Sequence, residues 1–299
     1  MSSFLLNANH KKAVCFILIA MLMLTIKDAA DKILVGQNYH VMELIWFRFA
    51  LPFLCVFLIC SRKTISSIKK CTLKVLLRSL SFCFVAYFSV VSLKLLPLNQ
   101  YIIINQFGPV LMSILGVLWF KEICTTAKMI AVSVGFLGVI ITINPWNDFD
   151  SHEMLYYIAP LIVLLGSTFH NLITKTIEPH LSVFDIFICT LFFISLLPTC
   201  YFILYPSDWM NPTPNNFHLF LTVAITTVIA QWCLIKGMQL SEASKIAPVF
   251  YTQIIMGICL GIIIFNEVLT FEALLGATLI VLSNFIIQNK KRGKSKPDS

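Results

Sequence analysis

The residues of this sequence that could do chemistry are a few ionisable groups set inside apolar stretches. Asp28 and Lys32 stand four apart, with Lys27 and Asp31 alongside. At that spacing an acid and a base share one helix face and can pair. Arg48 has apolar residues on both sides, so its guanidinium needs an acceptor: Glu43, a backbone carbonyl or a substrate carboxylate. At membrane depth each such group costs a few kcal/mol and faces a partner or a cavity. Asp28 is therefore a candidate to meet a cationic substrate or a proton. The alternative is that Asp28 and Lys32 form an interfacial pair at the outer end of a helix. Arg48 is a candidate anchor or substrate contact. Uncharged polar residues recur in other apolar stretches: Tyr101, Asn105 and Gln106; His170 and Asn171; Gln231 and Trp232; Tyr251 and Gln253. In a dry helical bundle they would bridge helices by hydrogen bonds; in a permeation pathway they would line a wet cavity. The sequence carries no HExxH, no GxSxG, no Walker A motif and no carboxylate cluster of metal-ligand type. The ten cysteines are scattered, without CxxC or Cys/His ligand spacing, so neither a disulfide framework nor a zinc site is indicated. The expectation is a binding protein that uses no cofactor and no metal, rather than an enzyme.

The elements that must position these residues are membrane helices. The 299 residues are 58% hydrophobic and 12% charged, against about 25% charged in soluble domains. A bilayer-spanning helix needs roughly 20 apolar residues. Ten such stretches follow one another, over 13–35, 41–60, 75–95, 99–120, 126–143, 154–173, 183–205, 217–240, 246–265 and 270–288. The fold class expected is all-α and integral to the membrane. The net charge of +8 would suggest nucleic acid in a soluble protein; here it marks cytoplasmic loops. Eighteen of the 22 Lys and Arg fall in one alternate set of connections and termini, and three in the other. By the positive-inside rule both termini are then cytoplasmic. The start of the chain reads as an uncleaved first helix preceded by a cytoplasmic segment over 1–12, and residues 289–299 as a basic cytoplasmic tail. Arg78, Lys175 and Lys236 sit near helix ends and are expected to snorkel.

The chain contains an internal echo. Setting Glu122 against Glu267 aligns Leu115 with Leu260, Gly116 with Gly261, Phe120 with Phe265 and Thr125 with Thr270, without a gap. The shared string is L-G-x3-F-x-E-x2-T. Glu122 and Glu267 close their helices, so these glutamates and Gly116 and Gly261 read as structural markers of the turns that follow. Two halves, 13–145 and 154–288, then hold five helices each. An odd number reverses the second half in the membrane, which gives an inverted repeat with a site near the midplane.

Several motifs carry a resemblance. They are Phe-Arg-Phe at Phe47–Phe49, Ser92–Gln100 (SLKLLPLNQ), Gly135–Pro145 (GFLGVIITINP), the stretch APVFYTQIIMGICLGIIIFNE ending at Glu267, and Leu274–Ser283 (LLGATLIVLS). In these the chain resembles the drug/metabolite transporter superfamily with two EamA-type halves. The resemblance implies ten helices in two inverted repeats and a secondary transporter working by alternating access around a cavity of helices 1, 3, 4, 6, 8 and 9. Asp28 with Lys32, the Phe-Arg-Phe string and Leu76–Leu80 (LLRSL) are similar to the bacterial S-adenosylmethionine uptake group. The substrate implied is S-adenosylmethionine or a related nucleoside or amino-acid compound. Amino-acid or drug efflux by the same fold is the alternative, and a lipid-linked sugar flippase or an intramembrane enzyme is the reading of another class. The expected partners are a small-molecule substrate, membrane lipid and either protons or an exchanged metabolite, with no nucleic acid. The expected location is the bacterial inner membrane.

Overall fold

The computed structural model describes residues 2–112, 115, 126–144, 155–177, 181–240 and 249–293. Glu122, Gly116 and the 146–153 loop lie outside the described residues. Those described form helices joined by short connections, with no strand among them. In chain order they are α1 (Ser2–Gly36), α2 (Val41–Lys69), α3 (Leu73–Leu95), α4 (Leu98–Asn105), α5 (Thr126–Ile143), α6 (Ile158–Thr176), α7 (Val183–Leu204), α8 (Phe217–Leu240), α9 (Thr252–Phe265) and α10 (Phe271–Gly293).

Five of them, or long parts of them, are long and apolar enough to cross a membrane: His10–Gly36, Val41–Lys69, Leu73–Leu95, Val183–Leu204 and Phe217–Leu240. Met129–Ile143, Ile158–Thr174, Thr252–Phe265 and Phe271–Ser283 are shorter apolar helices. Large apolar side chains such as Leu58, Ile59, Phe84, Ile203, Leu204 and Ile263 point outward, as a lipid-facing surface requires.

The ends have identifiable causes. Ser182 and Asp185 form a reciprocal capping box at the start of α7, which satisfies two orphan N–H groups. Pro97 opens α4, and Asn144 and Asn266 close α5 and α9 in the left-handed conformation, which Asn tolerates. Several boundaries differ from the hydropathy reading. α2 runs nine residues past Cys60, whose φ of −130° and ψ of 44° kink it. α10 continues into the basic tail as far as Gly293, because Lys and Arg are good helix formers and suit a helix C-terminus. α4 stops at Asn105, a turn occupies Gln106–Phe107, and helix resumes over 108–112.

Packing obeys the repeat. α1 packs along α8, and α3 along α6; α5 packs along α10, α2 along α7 and α4 along α9. Exchanging helix n for helix n+5 maps this set of pairs onto itself. That is the signature of two like halves related by a pseudo-two-fold axis, with α2–α7, α4–α9 and α5–α10 straddling it. The α5–α10 contact is the tightest to read. A Cβ on Gly138 would lie 2.8 Å from the Gly276 carbonyl oxygen and 3.0 Å from Ile280; small residues let membrane helices approach this closely. Gly138→Val is expected to destabilise the protein by about 1–3 kcal/mol through overpacking. A lowered unfolding temperature in detergent checks it, and an unchanged one would mean that the helices separate freely there.

Candidate substrate-binding site

α1 enters the core with four ionisable groups in its second half, and the structure separates them into two sets. Lys27, Asp28 and Asp31 are buried, and Asp31 meets α2. Lys27 Nζ lies 2.5 Å from Asp28 Oδ1 and 3.4 Å from Asp31 Oδ2. Arg48 of α2 donates from Nη2 to Asp31 Oδ2 and is itself buried. Two acids and two bases thus form one neutral chain, the only form in which four such charges can be buried at tolerable cost. Lys32 points elsewhere. Its Nζ lies 2.5 Å from Glu267 Oε1 and donates to the Leu96 carbonyl at 3.1 Å.

The Asp28–Lys32 pair expected from spacing is therefore not made. Asp28 is satisfied by its neighbour Lys27, and Lys32 reaches across to the α9–α10 turn. Of the acceptors open to Arg48, Glu43 is not the one used: Asp31 takes that place. A local distortion aims Arg48. Trp46–Ala50 is a π-helical turn, in which Leu51 donates to the Trp46 carbonyl. Pro52 follows one residue later. It has no N–H for the Arg48 carbonyl, so the regular ladder is broken there anyway.

Uncharged polar groups extend the cluster onto the two repeat mates. Gln253 of α9 donates from Nε2 to Asp28 Oδ2 at 3.5 Å, and its Oε1 accepts from Gln106 Nε2 at 2.6 Å. Gln106 and Tyr251 occupy equivalent positions in the two halves, and the helix is interrupted at both. Their backbones are alike: φ −72°, ψ −3° at Gln106 and φ −70°, ψ −13° at Tyr251. Interrupted helices meeting at a repeat axis are a usual place for transporter substrate sites. The Tyr101 hydroxyl pairs with Ser89 Oγ at 2.8 Å. Asn105 donates to the Tyr101 carbonyl within its own helix at 2.9 Å. Several buried polar atoms here have no hydrogen-bond partner among the described residues: Asp28 Oδ1, Asp31 Oδ1, Arg48 Nε, Asn105 Oδ1 and the Tyr251 hydroxyl. Asp28 Oδ1 has Lys27 at ion-pair distance but without hydrogen-bond geometry. One donor of a guanidinium, a hydroxyl and several acceptors so remain to be matched, and unmatched buried groups are costly.

Among the described residues, the others singled out by the sequence make no hydrogen bond or ion pair with this cluster. Trp232 is 38% exposed and meets Phe187 edge-on, so it faces out of α8. Gln231 is buried in the same helix, and Asn171 is half-buried on α6. His170 stacks on Phe82 and pairs with the Arg78 carbonyl at 3.1 Å, a packing role. Arg78 does not snorkel. It is buried, with Nε on Thr174 Oγ1 at 2.9 Å and Nη1 on Thr190 Oγ1 at 2.6 Å, because α6 and α7 close over the first turns of α3. A groove of about 320 Å³ opens sideways between α3 and α6, lined by Leu77, Leu80, Ser81, Phe84, Gly166 and Phe169. It holds no basic group of the kind that would grip a lipid-linked sugar phosphate.

The sequence pairs Asp28 with Lys32 and leaves Lys27 and Asp31 merely alongside, whereas the structure puts both in the buried chain. The signal was present in part: Asp31 stands at i+4 from Lys27, the spacing of a helical ion pair. Glu267, expected as a structural marker of a turn, has a specific partner here. Its carboxylate accepts from the backbone N–H of Leu98 at 2.6 Å and of Asn99 at 3.1 Å, so it caps the N-terminus of α4, where an anion is favoured.

The architecture and the repeat agree with what the chain matches among known proteins. The model of the EamA-like transporter family matches residues 11–144 and again 154–288. This chain belongs to the EamA-like transporter family. It is thus a membrane transporter in two like halves and not an enzyme. Among curated relatives, a riboflavin transporter of Vibrio cholerae is 27% identical over 202 residues, 67% of this chain and 65% of that protein. An S-adenosylmethionine uptake transporter of Rickettsia bellii is 24% identical over 296 residues, 96% and 97% of the two chains. One of Rickettsia conorii is 22% identical over 296 residues, 96% of each. A solved crystal structure shares the fold at a TM-score of 0.61 and 13% identity, across 97% of this chain and 99% of that one.

Proposed function

We propose that this EamA-like transporter moves a small polar metabolite, S-adenosylmethionine or a related nucleoside or amino-acid compound, across the bacterial inner membrane by alternating access. In this reading both termini face the cytoplasm, which the uneven distribution of Lys and Arg supports. The observation that carries this reading is the neutral buried chain of Lys27, Asp28, Asp31 and Arg48 joined through Gln253 to Gln106. It lies where the repeat-related breaks of α4 and α9 meet. A substrate with both a cationic and an anionic group can exchange for the internal pairs without leaving a net charge buried. The full-length likeness to S-adenosylmethionine uptake transporters supports the same substrate class. Riboflavin is the second reading, supported by the Vibrio cholerae relative.

Purified protein in proteoliposomes, offered labelled S-adenosylmethionine, riboflavin and amino acids in turn, tests the proposal. Saturable uptake or exchange of the first supports it; movement of riboflavin alone would replace it by the second reading. Gln253→Ala removes a link between Asp28 and Gln106. It is expected to raise the KM for the transported compound about tenfold, the equivalent of one hydrogen bond, with folded yield unchanged. Unaltered kinetics would take Gln253 out of the site.

A further inference from the structure

Glu43, near the start of α2, is a buried carboxylate that the site described above does not use. It is fully inaccessible. Oε2 accepts from the Met210 backbone N–H at a long 3.4 Å, and Oε1 has no hydrogen-bond partner among the described residues. Among the described residues no cation lies within ion-pair distance of it. The other buried acids, and the half-buried Glu267, differ: Asp28 and Asp31 are held by Lys27 and Arg48, Glu267 by Lys32, and Asp185 by the hydroxyls of Ser67 and Ser182. Aromatic rings wall the same end of α2. Trp46 and Phe47, on the next turn, pack on Trp209, and Phe47 also on Phe220. A carboxylate held in such surroundings without a counter-charge costs several kcal/mol, so it takes up a neutralising ion.

We propose that Glu43 is the proton-binding residue of the transport cycle. One proton from water on the side of the α7–α8 connection adds to the carboxylate oxygen. The same proton leaves when α2 and that connection change their contact. The cover is slight: Trp209 is half-buried and Met210 is 44% exposed. The Met210 N–H is its hydrogen-bonded link to Glu43, so protonation weakens the tether holding the 206–216 segment down. The substrate cluster is close enough to respond. Arg48 lies five residues further along the same helix, about 7.5 Å at the helical rise, inside the π-helical turn. The titratable groups on elements packed around Glu43 are otherwise engaged or distant. Tyr39 accepts from the Thr213 N–H and the Asn216 side chain, and His40 caps the Met42 N–H and meets Tyr201. Asp208 accepts from Tyr201, Asp31 of α1 is bound to Arg48, and Lys94 of α3 and His218 of α8 are exposed.

The inference rests on the secondary-transport reading, and two measurements keep their failures apart. In proteoliposomes with labelled S-adenosylmethionine and the membrane potential clamped at zero, one proton per substrate lets a one-unit pH gradient support about tenfold accumulation. Glu43→Gln is expected to abolish that accumulation while leaving exchange of internal for external substrate within about twofold of wild type; the amide keeps the shape of a protonated acid. Accumulation by Glu43→Gln equal to wild type would overturn the proposal. Absence of all exchange in wild type would instead overturn the substrate reading. An arm without substrate decides in that case. Infrared difference spectra of the purified protein across a pH titration should show a protonated-carboxyl band that Glu43→Gln lacks and Glu43→Asp shifts. The same band in Glu43→Gln would sink the proposal.

Discussion

Arg48→Ala is expected to abolish transport and to destabilise the folded protein by about 3–5 kcal/mol, the cost of leaving a buried acid without its partner. Asp31 is fully inaccessible and shares its Oδ2 between Arg48 and Lys27, the latter at the longer distance of 3.4 Å. Without the guanidinium, one lysine must serve two carboxylates, and the chain carries one uncompensated negative charge. Arg48→Lys keeps the charge but not the planar fork, so it should recover part of the stability. The informative variant is the double one, Arg48→Gln with Asp31→Asn. It is neutral, retains hydrogen-bonding groups and leaves the Lys27–Asp28 pair intact. Its unfolding temperature should return most of the way to wild type while uptake stays undetectable. If uptake returns as well, the pair only holds α1 to α2, and substrate recognition lies elsewhere.

That contrast also shows what was legible beforehand. Membrane class, helix order and the two-fold repetition follow from hydropathy and from one string, because lipid imposes the same length and apolar composition on every span. The positions of Gln106, Tyr251 and Gln253 were visible for the same reason: a polar group in a lipid-solvated helix stands out. Partner choice was not visible. Asp28 and Lys32 fit the helical rule for an intrahelical pair, yet each has a nearer or better-oriented partner, one adjacent in sequence and one 235 residues away. Spacing along one helix states which contacts are possible; which forms depends on where the other helices place their charges. The π-helical turn at Trp46–Ala50 was likewise hidden, although Pro52 was a sign that the ladder must loosen. Arg78 was misjudged because burial by α6 and α7 is a property of the packed bundle, and no local pattern on α3 records it.

The second large effect concerns the repeat string itself, whose conserved spacing between the halves now has a mechanical reading in the half that is described. Gly261 sits against the carboxylate that caps α4: a Cβ there would lie 2.7 Å from Glu267 Oε2, with the next different residue, Asn99, at 3.8 Å. Asn266, left-handed at φ 50°, turns the chain so that Glu267 folds back, and the Glu267 N–H donates to the Gly261 carbonyl at 3.0 Å. Phe265 lies under the Lys32 ammonium at 5.0 Å, and Thr270 caps the first turn of α10 through the Ala273 N–H. Glycine, phenylalanine, glutamate and threonine thus each hold one end of one joint between α1, α4, α9 and α10. Glu267→Ala removes two charge-assisted bonds to backbone N–H groups and strands Lys32, and is expected to cost about 2–4 kcal/mol. Gly261→Ala alone should cost about 1–2 kcal/mol, since the new methyl must push the carboxylate off Asn99. Combined with Glu267→Ala the sign changes. With no carboxylate to displace, alanine's better helix propensity, up to about 1 kcal/mol, makes Gly261→Ala neutral or stabilising. Unfolding temperatures of the four proteins give the coupling energy, expected between about 1 and 3 kcal/mol. Strict additivity would show that Gly261 is small for another reason, and that the string is not a single capping device.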